Sequence, residues 1–218
     1  MNNVRSAQDK LRAQYVELLP KMRKLAEQIE TNLRYRLLEI TLNLSAHERV
    51  VICSRIKQCE SAVDSLRRRQ EGGVFDPAKL HEYSLLSLND LVGVRVMAFP
   101  PSRVEEVRNA VVPLFSGWTS DPVPLPFEGD PPLATKIHGL YTASSEVRAE
   151  IQIVSLLIGL FWEVEHSAIY KPTPELKGAV RSQAMVEKNN QVLRAFRDFE
   201  QAFEAEISGT STRNEYPV

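Results

Sequence analysis

Apolar side chains at Leu11, Tyr15, Leu18, Met22, Leu25, Ile29, Leu33 and Leu37 recur at steps of three and four, which puts them on one face of a helix over residues 8–40. Pro20 falls inside that run. It lacks an amide donor and crowds the preceding turn, so a kink or a pair of helices is expected there. At 50–57 the period changes to two: Val50, Ile52, Ser54 and Ile56 alternate with Val51, Cys53, Arg55 and Lys57. This predicts a short strand that aims Arg55 and Lys57 the same way. Residues 61–70 read as a helix ended by Gly72-Gly73. A second strand is predicted over 91–99 (LVGVRVMAF), stopped by Pro100-Pro101, and a helix over 104–114.

Six of the 13 prolines fall between Pro113 and Pro132, which predicts a loop too long for a plain connection and makes Pro122 to Pro132 a candidate lid or binding loop. Beyond it, 136–143 and 147–153 are the expected arms of a hairpin around Ser144-Ser145, and 154–170 reads as a buried helix. Val192, Phe196, Phe199, Phe203 and Ile207 give 176–207 a helical spacing, and 208–218 reads as a loose tail. The pattern predicts an α+β fold, a mixed β-sheet flanked by helices, in one domain over 1–207. Its core motifs lie in 50–171, between helical extensions at 4–48 and 176–207.

Composition excludes several classes. A chain of 218 residues, 43% hydrophobic and 25% charged, buries a core without disulfides or a structural metal, so disordered and fibrous proteins are out. Cys53 and Cys59 match no disulfide framework and suit a reducing cytoplasm, and His47, His81, His138 and His166 form no metal-ligand pair. With 27 basic against 28 acidic residues, only a local patch such as Arg67-Arg68-Arg69 or Lys21, Arg23 and Lys24 can draw the chain to nucleic acid. The most apolar stretch, 151–162, contains Gln152 and Ser155 and is about a dozen residues long, where a membrane span needs roughly 20. No secretory signal is visible, so a cytoplasmic protein with no membrane partner is expected.

The candidate chemistry sits on the strands. In VRAEIQI, Val147, Ala149, Ile151 and Ile153 share one face, while Arg148, Glu150 and Gln152 share the other. A carboxylate beside a cation on an inner strand can be a metal ligand, a general base or a salt-bridged spacer. Arg55 and Lys57, two cations just before a helix N-terminus, suit a phosphate cradle, because both charges and the unpaired helix amides favour an anion there.

Four blocks occur in order: Arg55-Ile56-Lys57 with Ser61; Asp90-Leu91-Val92-Gly93-Val94-Arg95; Glu150-Ile151-Gln152-Ile153; and Trp162-Glu163-Val164-Glu165-His166 closing on Tyr170-Lys171. Together they resemble the Rel/Spo family of alarmone synthetases, small single-domain type. The resemblance implies a nucleotidyltransferase-like fold and transfer of the β,γ-diphosphate of ATP to the ribose 3′-hydroxyl of GDP or GTP. It implies that Arg55, Lys57, Ser61 and Arg95 hold ATP, that Asp90 and Glu150 are catalytic and ligate Mg²⁺, and that Lys136, His138, Tyr141 and Arg148 meet the acceptor. Such transfer is mainly positioning and charge neutralisation, which cations on polyphosphate and carboxylates on a metal supply. Asp90 is expected in the turn before its strand, and Trp162, His166 and Tyr170 in helix packing. Only 54 residues precede Arg55, and they hold no histidine-aspartate pair, so the hydrolase domain of long family members is expected to be missing.

The departures concern the acceptor. The family places a lysine where Ser65 stands, and it carries an acceptor loop whose stacking tyrosine and histidine are here Leu140 and Ser144 in KIHGLYTAS. Tyr141 replaces that tyrosine only through a one-residue slip, and in a strand a slip turns a side chain to the opposite face. The acceptor is therefore open between a guanine nucleotide and tRNA or an adenine nucleotide, and a catalytically dead binding relative is the third alternative. Terminal amphipathic helices fit either homo-oligomer formation or packing on their own domain.

Overall fold

The N-terminal apolar stripe forms one helix, α1 (Asn2–Arg36), in a computed structural model that describes residues 2–123, 134–165 and 183–213. The helix is not split at Pro20. Pro20 is exposed, and the carbonyl that loses its partner belongs to Val16, 69% exposed, so water can satisfy it. A short helix, α2 (Leu38–Leu42), follows. The period-two run then forms β1 (Arg49–Ile56), and α3 (Cys59–Arg68) begins three residues later. Gly72 and Gly73, both at positive φ, close the turn after it, a conformation that favours glycine.

The second predicted strand is β2 (Val92–Phe99), with Asp90 in the turn before it as expected, and α4 (Pro101–Val111) follows. Inside the proline-rich segment a two-residue strand, β3 (Thr119–Ser120), is present that the pattern did not predict. Most of the candidate lid, residues 124–133, lies outside the described residues. The predicted hairpin is β4 (Ala134–Leu140) and β5 (Arg148–Ser155). α5 (Leu156–Glu165) starts later than expected because Val154 and Ser155 still belong to β5. It is buried on one side only: Ile158 and Gly159 are covered, while Leu160 and Val164 are 50% and 63% exposed. The last helix, α6 (Gln183–Arg213), continues past the expected end at 207, since a single Gly209 weakens a helix by about 1 kcal/mol without breaking it.

The strands form one mixed sheet in the order β1-β2-β5-β4-β3, parallel only between β2 and β5. Its two faces differ. Ile52, Val92, Val94, Val96, Ala149, Ile151, Ile153 and Ile137 point to the face covered by α1 and α4 and form the main core. Each large side chain among them contributes about 1.5–3 kcal/mol by burial. On the other face, α5 covers the far end, where Met97, Val154 and Ala134 meet Ile158 of α5 and Leu193 of α6. The near half of that face is left uncovered by these elements. Behind α5, the buried carboxyl of Glu200 on α6 accepts hydrogen bonds from the Ser155 hydroxyl and the Leu157 amide, capping the first turn of the helix.

Candidate active site

Strand register brings the polar residues together. Cys53 pairs with Arg95, Arg55 with Gly93, Gly93 with Glu150, Arg95 with Gln152, Gln152 with Lys136 and Glu150 with His138. These residues therefore share the open half of one face. They border a cleft of about 300 Å³ lined by Cys53, Arg55, Arg95, Glu150, Gln152 and Glu163. Gly93 leaves room for the Arg55 side chain to cross the sheet: a Cβ there would lie 3.2 Å from Arg55 Nε.

Lys57 lies one residue beyond β1, but its amide still donates to the Leu91 carbonyl at 2.9 Å, and this extension of the ladder carries it to Asp90. The Lys57 ammonium donates to Asp90 Oδ2. Burial pushes the Asp90 carboxyl up, but the Lys57 hydrogen bond and charge, with Arg55 and Arg69, outweigh it and hold the group below the usual carboxylate range. The other oxygen, Oδ1, is buried without a hydrogen-bond partner. An anionic oxygen of that kind suits a hard cation, which prefers oxygen ligands.

Glu150 is buried on β5. Its Oε1 accepts from Gln152 Nε2 at 2.6 Å, and its Oε2 lies 3.1 Å from Lys136 Nζ. Burial lowers the Lys136 ammonium, but Glu150, Asp121 and Asp90 more than compensate and hold it above the ordinary lysine range. Among the described residues, no cluster of three or more His, Cys, Asp and Glu groups forms a complete protein cage for a metal. Mg²⁺ keeps several waters and substrate oxygens as ligands, so one or two carboxylates suffice for it, and Asp90 and Glu150 fit that requirement.

Arg95 is fixed more fully than the strand pattern indicates. It donates to Gln152 Oε1 at 3.0 Å, to the Gly159 carbonyl at 3.1 Å and to Glu163 Oε1 at 2.5 Å, and its guanidinium carbon lies 5.8 Å from the centre of the Trp162 ring. Burial draws its pKa down, and Glu163 offsets this only in part. Trp162 thus packs as expected, while His166, Tyr170 and Lys171 lie outside the described residues.

The remaining candidates divide. Ser61 lies in the first turn of α3, half-buried. His138 sits opposite Glu150 in the register, and Arg148, at the rim of the same face, donates to Asn89 Oδ1 at 3.0 Å. Tyr141 is not with them. The odd positions of β4 turn toward the main core, and Tyr141 continues that side: its hydroxyl accepts from Asn32 of α1 at 2.9 Å, and its ring packs beside Phe115. The slip that would let it stack on an acceptor base is therefore not made. Leu140, 43% exposed, holds the outward position.

Three partners escaped the sequence reading. Gln152 was visible on the polar face, and Glu163 stood inside a quoted block without a role; Asp121, 3.6 Å from Lys136 Nζ, had no local signal. Arg69, which the sequence grouped with a basic patch able to meet nucleic acid, lies close enough to Asp90 to stabilise its charge.

The fold is that of the small alarmone synthetases. Small alarmone synthetase 1 from Bacillus subtilis, in a structure bound to its product pppGpp, aligns with TM-score 0.65 over 92% of this chain and 99% of its own at 19% identity. The same protein bound to AMPCPP gives a TM-score of 0.59 at 20% identity, covering 94% of this chain and 100% of that one. A GTP pyrophosphokinase family protein from Streptococcus pneumoniae gives 0.64 at 18% identity, with 94% and 98% covered. No protein-family model and no curated protein matches the sequence. No helix among the described residues is long and apolar enough to cross a membrane.

Proposed function

We propose that this protein is a pyrophosphokinase that transfers the β,γ-diphosphate of ATP to the 3′-hydroxyl of a guanine nucleotide. The observation that carries the reading is the convergence of Arg55, Lys57, Asp90, Arg95, Glu150 and Lys136 on the open half of one sheet face, in a chain with the alarmone-synthetase fold. Arg55 and Lys57 bind the donor polyphosphate, and Arg95 forms a fixed wall of the donor cleft. Asp90, through its free oxygen, and Glu150 would hold Mg²⁺. When bound, that ion neutralises charge on the polyphosphate. Glu150 takes the proton of the acceptor hydroxyl as its oxygen bonds to the β-phosphorus; the bond between the α- and β-phosphates breaks, and AMP leaves. Lys136, His138 and Arg148 face the acceptor from β4 and the start of β5.

One observation supports a second acceptor class. Leu140 stands outward where the family's stacking tyrosine would be, and Tyr141 is turned to the core side, which favours an acceptor held by ribose and phosphate contacts, such as a tRNA 3′ end or an adenine nucleotide. Purified protein incubated with γ-labelled ATP and Mg²⁺, separately with GDP, GTP, ATP and deacylated tRNA, tests both readings. Label on GDP or GTP is the expected result; label on tRNA or an adenine nucleotide selects the second reading; no transfer to any of them rejects both.

A further inference from the structure

Tyr15 belongs to the apolar stripe of α1, yet its hydroxyl makes a polar contact of its own. It donates to the Lys57 carbonyl at 2.9 Å, while the half-buried ring packs against the main core. Lys57 stands past the end of β1, where the sheet no longer dictates its backbone. Two bonds take over from the strand: the Leu91 carbonyl accepts from the Lys57 amide, and Tyr15 supplies a donor to the Lys57 carbonyl. Asp90 then holds the ammonium at the other end of the side chain. The flanking segments are anchored to α1 separately. Gln14 grips the turn that leads to Asp90, its Nε2 donating to Ser84 Oγ at 2.8 Å and its Oε1 accepting from the Leu85 amide at 2.8 Å. Arg12 donates to Glu60, in the first turn of α3, through Nε at 2.8 Å and Nη2 at 3.0 Å. One stretch of helix thus seats three segments, and Tyr15 is the contact that bears on Lys57 itself.

We propose that Tyr15 is a positioning residue for the donor: its hydroxyl fixes the Lys57 backbone, so that the ammonium is presented to the ATP phosphates from a single place. This rests on the reading of Lys57 as a ligand of the donor polyphosphate. A lysine carries its charge on a flexible four-carbon stem, so the point where the stem is rooted decides where the charge can reach. With root and head both held, an entering phosphate finds little left to order. Without the hydroxyl the root is loose, and binding must first order the lysine.

The Tyr15→Phe variant keeps the ring and removes only the hydroxyl. Loss of one neutral hydrogen bond should raise the ATP KM and the Kd for AMPCPP about five-fold, while kcat and the acceptor KM stay at wild-type values. Tyr83→Phe is the matched control: its hydroxyl accepts from the Asp76 amide at 2.8 Å, outside the lining of the cleft, and its loss should leave ATP and AMPCPP binding unchanged. A matching rise there would mark a general loosening of the fold and overturn the proposal. In a Lys57→Ala background, Tyr15→Phe should add less than about two-fold, because its effect passes through the lysine. Equal effects in both backgrounds, or a parallel rise in the acceptor KM, would also overturn it. Crystal structures of the wild-type and Tyr15→Phe proteins give a readout that needs no turnover: the Lys57 peptide and ammonium should be displaced while Asp90 and Glu60 stay in place. An unmoved lysine overturns the positioning role whatever the kinetics. A displaced lysine in a variant that binds AMPCPP with wild-type affinity leaves that role standing and defeats the reading of Lys57 as a donor ligand beneath it.

Discussion

At the β1-β2 side of the cleft Lys57 and Arg95 are tied into the fold, while Arg55 lies over Gly93 along the cleft; at the β4 side Lys136 is shared between two carboxylates. Lys57 is seated on Asp90, and Arg95 is held by Gln152, the Gly159 carbonyl and Glu163. Across the cleft, Lys136 divides itself between Glu150 and Asp121, and Leu140 presents a bare aliphatic surface. The difference indicates where specificity is fixed and where it can vary. On the proposed reading, the donor side resists substitution at Arg95, because each change there disturbs several contacts. On the same reading, an acceptor wall whose side chains make few contacts with the rest of the fold can be altered one side chain at a time.

Glu150→Gln should give the largest effect, since the residue stands where the two walls meet. Loss of a general base costs at least about a hundred-fold in kcat. Rapid-quench assays with labelled ATP measure it, and near-normal turnover would remove Glu150 from the chemistry. Lys57→Ala should weaken ATP binding about ten-fold or more whatever the acceptor, as loss of a charge-assisted contact does; titration with a non-hydrolysable ATP analogue checks this. If the acceptor suffered instead, the assignment of walls would be reversed.

Leu140→Tyr should sharpen the contrast by adding a ring to the open side. Stacking on a base is worth about 1–3 kcal/mol, so the KM for a guanine acceptor should fall by roughly five-fold or more with the ATP KM unchanged. An unchanged acceptor KM would mean that the base lies elsewhere. The smallest effect on turnover belongs to Glu200, behind the donor wall. Its carboxyl is pushed up to about 6, chiefly by burial, against hydrogen bonds from Ser155 and Leu157 that favour the charged form. A raised folded-state pKa stabilises below the unfolded value, and that contribution is lost as pH rises through about 6. Glu200→Gln should therefore gain up to about 2 kcal/mol relative to wild type near pH 8 and flatten the pH dependence of melting, with transfer unchanged. Parallel melting curves of both proteins from pH 4.5 to 8 would contradict this.

What could be read from the sequence followed from periodicity. Alternation placed Arg55 on the open face and Glu150 with Gln152, and it also indicated that a slip to Tyr141 would point the wrong way, as the hydrogen bond with Asn32 confirms. Tertiary context decided the rest. Whether Pro20 breaks α1 depends on whether the orphaned Val16 carbonyl meets solvent, a fact about packing. Glu163 reaches Arg95 across 68 residues of chain, and Asp121 reaches Lys136 through a two-residue strand inside a proline-rich segment, so neither partner leaves a local pattern.

The clamping of Arg95 also has an entropic consequence. A free arginine loses about 2 kcal/mol of rotamer freedom when a ligand immobilises it. Here a neighbouring strand, a helix carbonyl, a carboxylate and an indole have fixed the guanidinium during folding. On the proposed reading, a nucleotide arriving beside it would meet a surface that is already ordered, so the ordering cost was met once, when the chain folded, and does not recur with each binding event. Calorimetry on the wild-type and Glu163→Gln proteins would expose this directly: loosening the clamp should make donor binding less favourable in entropy before it changes any direct contact.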